Sequence, residues 1–386
     1  MKLLMITGLG SAKDLASGNK GAFYNTLEEF HKYWDRIDII APRDKRQEIK
    51  DKCLFGNVFI HVSPWPLILH PIRFFKKGLE IYKEHKFDLM TVQDFPPFYN
   101  GIGARLLSSR IKAPYVLEFH HISGYPKPAN LKEKIYSKPV LWRLYWKIFG
   151  SKARAVRVVN QKQTPDFLKK AGVSEEKIVY IPSMYIDLGI FKPMEFEKEY
   201  DLIFVGRLEP NKGIELLLEA IKNLKSQIPS LKCLIVGDGP LKKKLLHYCT
   251  TALQANATFY GRAINLREIA ELMNKSKILI MPSYNEGGPR VVLEAMACGV
   301  PVLATNVGLV PDLADKNSVN SALANKGGIK IIDWTAEDIA KKAKELLSNK
   351  EERSRLGQAG TDIAKQFEKG AMIKNYAEWL KSLIRR

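Results

Sequence analysis

The chain alternates short apolar runs with longer stretches of helical periodicity. In the first half the apolar runs lie at 2–7, 36–42, 57–63, 88–93, 113–120, 155–160 and 177–183. The second half repeats the pattern at 201–206, 232–237, 257–261, 278–283, 301–305 and 328–333. Such alternation is typical of parallel strands joined by helical crossovers. We therefore predict the α/β class, with two doubly wound, Rossmann-like domains.

A polar, proline-containing stretch at 187–201 shows neither the strand period nor the helical period, and it separates the two halves. We predict a first domain at 1–195, a second at 196–370, and a C-terminal helix at 371–386 that packs back toward the first domain. Ligands of open parallel sheets bind beyond the carboxyl ends of the strands. The residues that directly follow strands are therefore the candidates for a site.

Composition narrows the class of protein. The chain has 386 residues, of which 46% are hydrophobic and 26% charged, as in a soluble globular protein. The opening MKLLMITGL is too short for the apolar core of a signal peptide or for a membrane span. The four cysteines have no metal-binding spacing, so we predict reduced thiols and a cytoplasmic location.

Net charge bears on the partners. The formal charge is +20, and residues 1–195 carry 32 Lys and Arg against 19 Asp and Glu. A basic surface suits nucleic acid, an anionic membrane or phosphorylated substrates. Because the sequence has no helix-turn-helix, zinc-finger or aromatic RNA-binding signature, we expect no nucleic-acid partner.

The stretch SYNEGGPRVVLEAMACGVPVLAT, at 283–305, predicts a strand end, a loop, a helix opened by Pro289 and a glycine cap at Gly299. Glu294 is the only acid in that apolar helix, and a buried carboxylate needs a partner. One candidate is Arg290, four residues earlier on the same face. The other is a ligand with hydroxyl donors, such as a ribose.

Two glutamates separated by seven residues in this stretch, together with VGRLEPNKGIELLLEAI (205–221) and VGDGP (236–240), carry a resemblance. The chain resembles family four of the retaining glycosyltransferases, also called glycosyl transferases group 1, which have the GT-B fold. The resemblance implies two Rossmann-like domains that face each other across a cleft. It also implies that the enzyme transfers a hexose-type sugar from a UDP- or GDP-sugar to a glycan or a lipid-linked acceptor, with retention of configuration.

Carried over residue by residue, the resemblance implies that Glu286 faces the hydroxyls of the transferred sugar and that Glu294 holds the ribose of the donor. Arg207 and Lys212 match the basic pair that neutralises the donor diphosphate. Without the resemblance, these two cations would be interpreted as side chains of a solvated loop. Fixed cations suit this place because the leaving diphosphate gains negative charge as the glycosidic bond breaks.

We predict metal-independent transfer with no cofactor beyond the donor sugar nucleotide, since the sequence has no Asp-x-Asp motif and the two cations supply the charge. Further residues predicted to bind the donor are Gly287, Gly288, Pro289, Gly237, Gly239, Gly21, Gly308 and Leu309. The chain departs from the family pattern at Lys20 and Leu309, where glycines are usual, at Asp312, where a glutamate is common, and in IPSMYID (181–187), where many members have I-P-N-G-V-D.

His120 follows the strand at 113–120, where the family often has a histidine near the reacting sugar. A histidine at a strand end is often structural. The resemblance implies a catalytic position, at which His120 either orients the donor or takes a proton.

Two segments of the first half, 63–86 and 137–157, mix aromatic residues with lysine and arginine. In one interpretation they form an interfacial patch on an anionic membrane, in which Trp65, Phe74, Phe75, Trp142 and Trp146 include exposed members flanked by Lys76, Lys77, Arg143 and Lys147. The alternative is core helices with solvated basic faces. The membrane interpretation favours a lipid-linked acceptor at the cytoplasmic leaflet.

Other functions compete with transfer. A nucleotide-sugar epimerase or a phosphorylase can share the fold, but Glu286, Arg207 and Lys212 argue against the first, and the lack of a recognisable cofactor-lysine motif argues against the second. A non-catalytic protein that binds sugar or nucleic acid is the third alternative. Hydrolysis of the donor would separate an enzyme from such a binding protein.

Overall fold

The computed structural model describes residues 1–7, 15, 21–41, 52–63, 65–253, 256–314 and 327–384. It contains two sheets, each with helices on both faces. The first sheet has the strand order β3-β4-β2-β1-β5-β6-β7-β8, and the second has the order β11-β10-β9-β12-β13-β14. All strand pairs are parallel except that of β3 with β4. The predicted pair of doubly wound α/β domains is thus confirmed.

The elements of the first domain follow one another as strand, helix and strand. They are β1 (Lys2–Ile6), α1 (Ala22–Phe30), β2 (Arg36–Ala41), β3 (Lys52–Leu54), β4 (Val58–Val62), α2 (His70–His85), β5 (Leu89–Gln93), α3 (Tyr99–Ile111), β6 (Tyr115–Phe119), α4 (Leu131–Tyr136), α5 (Pro139–Ile148), β7 (Ala155–Val158), α6 (Gln163–Lys170) and β8 (Ile178–Tyr180).

The second domain continues the same alternation and ends in three helices. Its elements are β9 (Tyr200–Val205), α7 (Ile214–Lys225), β10 (Cys233–Val236), α8 (Lys242–Tyr248), β11 (Ala257–Gly261), α9 (Leu266–Asn274), β12 (Ser276–Met281), α10 (Arg290–Ala297), β13 (Val302–Thr305), α11 (Val310–Ala314), β14 (Ile329–Ile332), α12 (Ala336–Ser348), α13 (Lys350–Ala364) and α14 (Lys369–Ile384).

Every predicted apolar run contains a strand, but the sequence did not predict β3. This three-residue edge strand pairs antiparallel with β4, and none of its side chains is buried. An edge strand of this kind leaves no apolar run in the sequence, because it has no buried face. The predicted runs also extend past several strands into the loops at their carboxyl ends.

Helix α14 packs on the first domain although it follows the second in the chain. Ile373, Tyr376 and Leu380 are buried in the same hydrophobic cluster as Leu27 and Phe30 of α1. The rings of Tyr376 and Phe30 are stacked with centroids 5.1 Å apart. The first domain therefore takes part of its core from the end of the chain.

The chain crosses between the domains twice, and the two crossings touch. Ile186, on the first crossing, forms a parallel bridge with Glu368, on the second. Its N–H donates to the carbonyl of Phe367 (2.7 Å), and its carbonyl accepts from the N–H of Lys369 (3.0 Å). The two crossings are therefore hydrogen-bonded to each other between the domains.

Candidate functional site

The carboxyl ends of the two sheets meet at a cleft, where polar side chains of the first domain bind backbone of the second. Gln163 accepts from the N–H of Gly308 (2.7 Å) and donates to the carbonyl of Asn306 (3.2 Å). Asn160, which is fully buried, donates to the carbonyl of Gly287 (3.3 Å). The candidate residues lie along this contact between the domains.

The helix predicted after the EGGP loop is present. Helix α10 begins at Arg290, with Pro289 in the capping position, and Gly299 follows its end with φ +70°. A glycine accepts this left-handed conformation without the strain that a side chain would add, as the sequence predicted. Residues 292–297 of the helix are all buried, and Glu294 is the single acid among them.

Glu294 is only 6% exposed, and burial raises its pKa to about 7 against the attraction of Arg290. Arg290 does not form a salt bridge with it, because its guanidinium lies over the ring of Tyr185, 4.9 Å from the centroid. Within the described ranges, the carboxylate of Glu294 has no hydrogen bond and no salt bridge. Arg290 thus attracts Glu294 without forming the intrahelical salt bridge considered from the sequence, and the carboxylate has no donor among the described residues.

Lys212 and Glu286 lie at the carboxyl ends of neighbouring strands. Lys212 closes the turn Pro210–Lys212 after β9, and Glu286 is on the loop after β12, which pairs with β9. The ammonium of Lys212 donates to Glu286 Oε1, and the hydroxyl of Ser283 donates to the same oxygen at 3.0 Å. Both charged side chains are mostly buried, so the pair is shielded from solvent.

Arg207 lies apart from this pair. Its side chain is 67% exposed, and its Nη1 donates to Glu209 Oε1 at 2.9 Å. Of the two predicted cations, Lys212 is therefore enclosed while Arg207 is at the surface, where its long side chain has room to move toward an anion.

Gly237 and Gly239 hold two loops of the second domain together. Gly237 has φ +145°, and a Cβ on it would come within 1.8 Å of the carbonyl oxygen of Gly206. A Cβ on Gly239 would lie 2.6 Å from the carbonyl oxygen of Leu208. These glycines let the loop after β10 pack against the loop that carries Arg207.

The glycines of the EGGP loop bring backbone against the first domain. A Cβ on Gly287 would lie 1.8 Å from the carbonyl oxygen of His120, and one on Gly288 would lie 2.6 Å from Met184 Cγ. Gly308 has φ +56°, and a Cβ there would lie 2.4 Å from the carbonyl oxygen of Gly287. The sequence predicted a close approach to a ligand, and the structure shows a close approach between the domains.

Leu309 and Gly21, which were also predicted to bind the donor, lie in different surroundings. Leu309 is 1% exposed and its side chain belongs to the core of the second domain. Gly21 precedes α1 in an extended conformation (φ −86°, ψ −172°), and its carbonyl accepts from the N–H of Asn25 at 3.1 Å. Lys20 lies outside the described residues.

His120 directly follows β6 at the cleft, and its side chain is 33% exposed. Its Nε2 lies 3.2 Å from Oε2 of Glu118, which is buried on the same strand. Its carbonyl meets Gly287 of the second domain. The histidine predicted from the sequence is thus at the point where the domains touch, and it has a carboxylate partner.

Comparisons with known proteins agree with this architecture. The family described as "Glycosyl transferases group 1" matches residues 188–363, and "Glycosyltransferase Family 4" matches 23–184. The chain belongs to the group 1 glycosyltransferases.

Relatives and solved structures extend the likeness along the chain. An uncharacterized glycosyltransferase of Methanocaldococcus jannaschii, MJ1178, is 27% identical, with 81% of this chain and 82% of that protein covered. The sulfoquinovosyl transferase SQD2 of Arabidopsis thaliana is 26% identical over 91% of this chain and 68% of that protein. Anabaena HepE, solved with UDP, matches with a TM-score of 0.72 at 18% identity, over 99% of both chains. The architecture is the GT-B fold.

The sequence analysis of this glycosyltransferase missed two residues of the cleft, Arg157 and Tyr376. Arg157 is 3% exposed, and its Nη1 donates to Glu118 Oε2 at 2.8 Å. Tyr376, on α14, donates its hydroxyl to Glu118 Oε1. The alternating pattern of β7 places a charged residue inside an apolar strand, and this was the signal that could have identified Arg157.

A cavity of about 170 Å³ lies beside His120 in this glycosyltransferase. The first domain, the chain that crosses between the domains, α10 and α14 all contribute to its wall. Its lining is Met5, Phe23, Thr26, Phe30, Gln93, Glu118, His120, Arg157, Pro182, Ser183, Met184, Tyr185, Arg290, Met372, Ile373 and Tyr376. The structure thus brings His120 and Arg290 to one cavity, together with residues that belong to none of the motifs found in the sequence.

The aromatic residues of the two basic segments do not form an exposed patch. Phe74, Trp142 and Trp146 are buried in the core of the first domain, and Trp65 and Phe75 are only partly exposed. The prediction of exposed aromatic anchors is therefore wrong, because helical periodicity turns these rings inward. The exposed apolar side chains of the same segments are aliphatic, namely Ile68, Leu69, Ile72, Val140, Leu144 and Ile148.

Proposed function

We propose that this glycosyltransferase transfers a hexose-type sugar from a UDP- or GDP-sugar, with retention and without a metal ion, to a glycan or lipid-linked acceptor. The observation that carries the proposal is Glu294, a buried carboxylate on α10, one turn after the cavity-lining Arg290, with no donor among the described residues. A vicinal diol of a ribose offers two hydroxyl donors that satisfy a carboxylate.

The diphosphate of the donor is proposed to lie near Lys212. Because Lys212 holds Glu286 in the ligand-free protein, donor binding would exchange part of that ion pair for a contact between Lys212 and phosphate. Arg207, from the surface, supplies the second cation. Glu286 is then available to accept hydrogen bonds from hydroxyls of the transferred sugar. The two cations would stabilise the charge that the diphosphate gains as it leaves, which supports metal independence.

UDP is favoured as the donor nucleotide by the HepE structures solved with UDP and with UDP-glucose. Retention of configuration rests on the resemblance to the family. The acceptor is proposed to enter from the side of His120, which either orients the donor sugar or takes a proton there.

A lipid-linked acceptor is supported by one surface, which we call the aliphatic face. It consists of Ile68, Leu69 and Ile72 before and within α2, and of Val140, Leu144 and Ile148 on α5. On α5 the spacing of four residues places the three aliphatic side chains on one side of the helix, together with Arg143 and Lys147.

Helix α3 packs between α2 and α5, since a Cβ on Gly103 would touch Phe74 of α2 and one on Gly101 would touch Tyr145 of α5. The two parts of the aliphatic face therefore lie on the same side of the first domain. We propose that this face lies on an anionic membrane at the cytoplasmic side. Among the helices of the described ranges, none is long and apolar enough to cross a bilayer.

Ligand-induced stabilisation tests the donor site. We would melt the wild type, Glu294→Gln and the control Glu219→Gln with UDP-glucose, UDP-N-acetylglucosamine and GDP-mannose. A ligand at 100 times its Kd stabilises by about 2.7 kcal/mol, so a true donor raises the melting temperature of the wild type and the control by several degrees. The melting temperature of Glu294→Gln should rise much less with the same ligand. Equal shifts of Glu294→Gln and the control would overturn the placement of the ribose.

A further inference from the structure

The carboxylate of Glu118 is a centre on which three polar side chains converge. It accepts from Arg157 Nη1 at 2.8 Å and from the hydroxyl of Tyr376, and it lies 3.2 Å from His120 Nε2. Glu118 is 2% exposed, so water does not compete for these contacts. All four residues line the cavity at the cleft, and His120 is the most exposed of them, with 33% of its side chain accessible.

Glu118 is ionised at any pH at which the enzyme is expected to work. Burial alone would raise its pKa, but Arg157, then His120 and Tyr376, outweigh burial and lower the pKa to about 2. An ionised carboxylate only accepts hydrogen bonds. The nitrogen of His120 that faces it must therefore carry a hydrogen, and in the neutral ring Nδ1 is left as an acceptor.

Arg157 ties this carboxylate to the crossing between the domains. Its Nε donates to the carbonyl of Ile181 and its Nη2 to that of Pro182, both at 3.0 Å. Its guanidinium also lies 3.7 Å from the centroid of the Tyr376 ring. Both passages of the chain between the domains, the one before β9 and the one that leads into α14, therefore hold the group beneath His120.

We propose that Glu118 is a positioning residue for His120, and that Tyr376 of the C-terminal helix completes its support. This inference rests on the proposed function, in which His120 faces the reacting sugar. Glu118 fixes the ring orientation and the tautomer of His120, so that Nδ1 is presented as an acceptor to a substrate hydroxyl. The C-terminal helix acts on the reaction through this chain of contacts.

The test is a mutant cycle on donor hydrolysis, measured with whichever of UDP-glucose, UDP-N-acetylglucosamine and GDP-mannose stabilises the protein most. We expect Glu118→Gln to lower kcat by about 10- to 100-fold, the range found when a partner that orients a functional histidine is lost, while KM for the donor stays within twofold. Tyr376→Phe should lower kcat by a smaller factor. Tyr260→Phe is the control, because it removes a tyrosine–glutamate hydrogen bond of 2.6 Å on β11, an edge strand of the second sheet.

The decisive measurement is the double variant. If Glu118 acts through His120, Glu118→Gln should cost less than twofold in a His120→Ala background. Losses that multiply would show an independent role for Glu118 and overturn the inference. Should Glu118→Gln not fold, because it leaves Arg157 unpaired, the same cycle with Tyr376→Phe decides the question.

The failure of the inference can be told from the failure of the proposed function. Full activity of His120→Ala would refute the role of His120 itself, whatever the result for Glu118. Suppose that donor binding depends on Glu294 as described above, but that the losses of Glu118→Gln and His120→Ala multiply in the cycle. The proposed function would then stand, and only the positioning role of Glu118 would be refuted.

Discussion

Lys212 and Glu286 form an ion pair whose side chains are 17% and 15% exposed, although each comes from the loop after a different strand. The pair links two neighbouring loops at the carboxyl edge of the second sheet and places opposite charges where a sugar diphosphate is proposed to bind. An incoming phosphate finds a cation whose partner is already present, so the site does not hold an unneutralised charge before the donor arrives.

Removing one member of this pair should cost more stability than removing both. Lys212→Met leaves the carboxylate of Glu286 without its cation, and we expect a loss of about 1–3 kcal/mol in the free energy of unfolding. Adding Glu286→Gln should restore part of that loss, while donor hydrolysis remains abolished in both variants. Thermal melts and hydrolysis rates of the two single variants and the double variant measure this. A double variant less stable than either single variant would contradict the buried pair.

Glu294 should make the ligand-free protein less stable at high pH. Its ordinary pKa of 4.5 is raised to about 7 by burial, so between these values the folded state binds a proton that the unfolded chain does not. Stability therefore falls as pH rises through this window, by about 3 kcal/mol in total. Glu294→Gln has no such loss, so its melting temperature should exceed that of the wild type at pH 8 and approach it at pH 5.

The same variant should bind nucleotide more weakly. Loss of the charge-assisted bonds to the ribose is expected to raise the Kd by about tenfold or more. Titration calorimetry with UDP checks this, with Glu219→Gln as the matched control. If Glu294→Gln is more stable at pH 8 yet binds UDP as tightly as the wild type, Glu294 does not bind the nucleotide and is buried for another reason.

Gly287→Ala should disturb the closed arrangement of the domains. A Cβ there would lie 1.8 Å from the backbone oxygen of His120, which cannot move away as a flexible side chain can. We expect donor hydrolysis to fall by more than tenfold and the radius of gyration in solution scattering to rise. Gly327→Ala, whose Cβ would lie 3.5 Å from the carbonyl oxygen of Ala314, is the control and should change neither quantity.

Transfer should survive removal of metal ions. Because Lys212 and Arg207 are proposed to carry the charge of the leaving diphosphate, dialysis against EDTA should leave the hydrolysis rate within about twofold. Loss of activity that added magnesium restores would refute metal independence.

The aliphatic face should bind anionic vesicles. Leu144→Glu replaces an exposed side chain on α5 and should abolish sedimentation with vesicles that contain phosphatidylglycerol, while Ile264→Glu, at an 88% exposed position of the second domain, should not. Salt should release the wild type, since each nearby Lys or Arg adds about 1 kcal/mol of screened attraction. Negligible binding of the wild type at low salt would refute the membrane proposal and favour a soluble acceptor.

The sequence predicted the strands and the loop residues better than their contacts. Strand periodicity identified the loops after β6, β9 and β12, because each buried strand leaves an apolar run that ends at the cleft. It could not identify the partners of Glu118, because Tyr376 is 258 residues away in the chain and packs there only through α14. The aromatic residues of α5 were misassigned because composition alone does not show which side of a helix faces the core.

The late position of α14 in the chain has a consequence for biosynthesis. Residues that complete the core of the first domain, among them Ile373, Tyr376 and Leu380, are translated only after the whole second sheet. Domains usually fold in order of synthesis. Here the first domain would emerge from the ribosome with an open groove beside α1, and the support of His120 would form only once α14 has been made. The contacts that support His120 are thus completed last in synthesis.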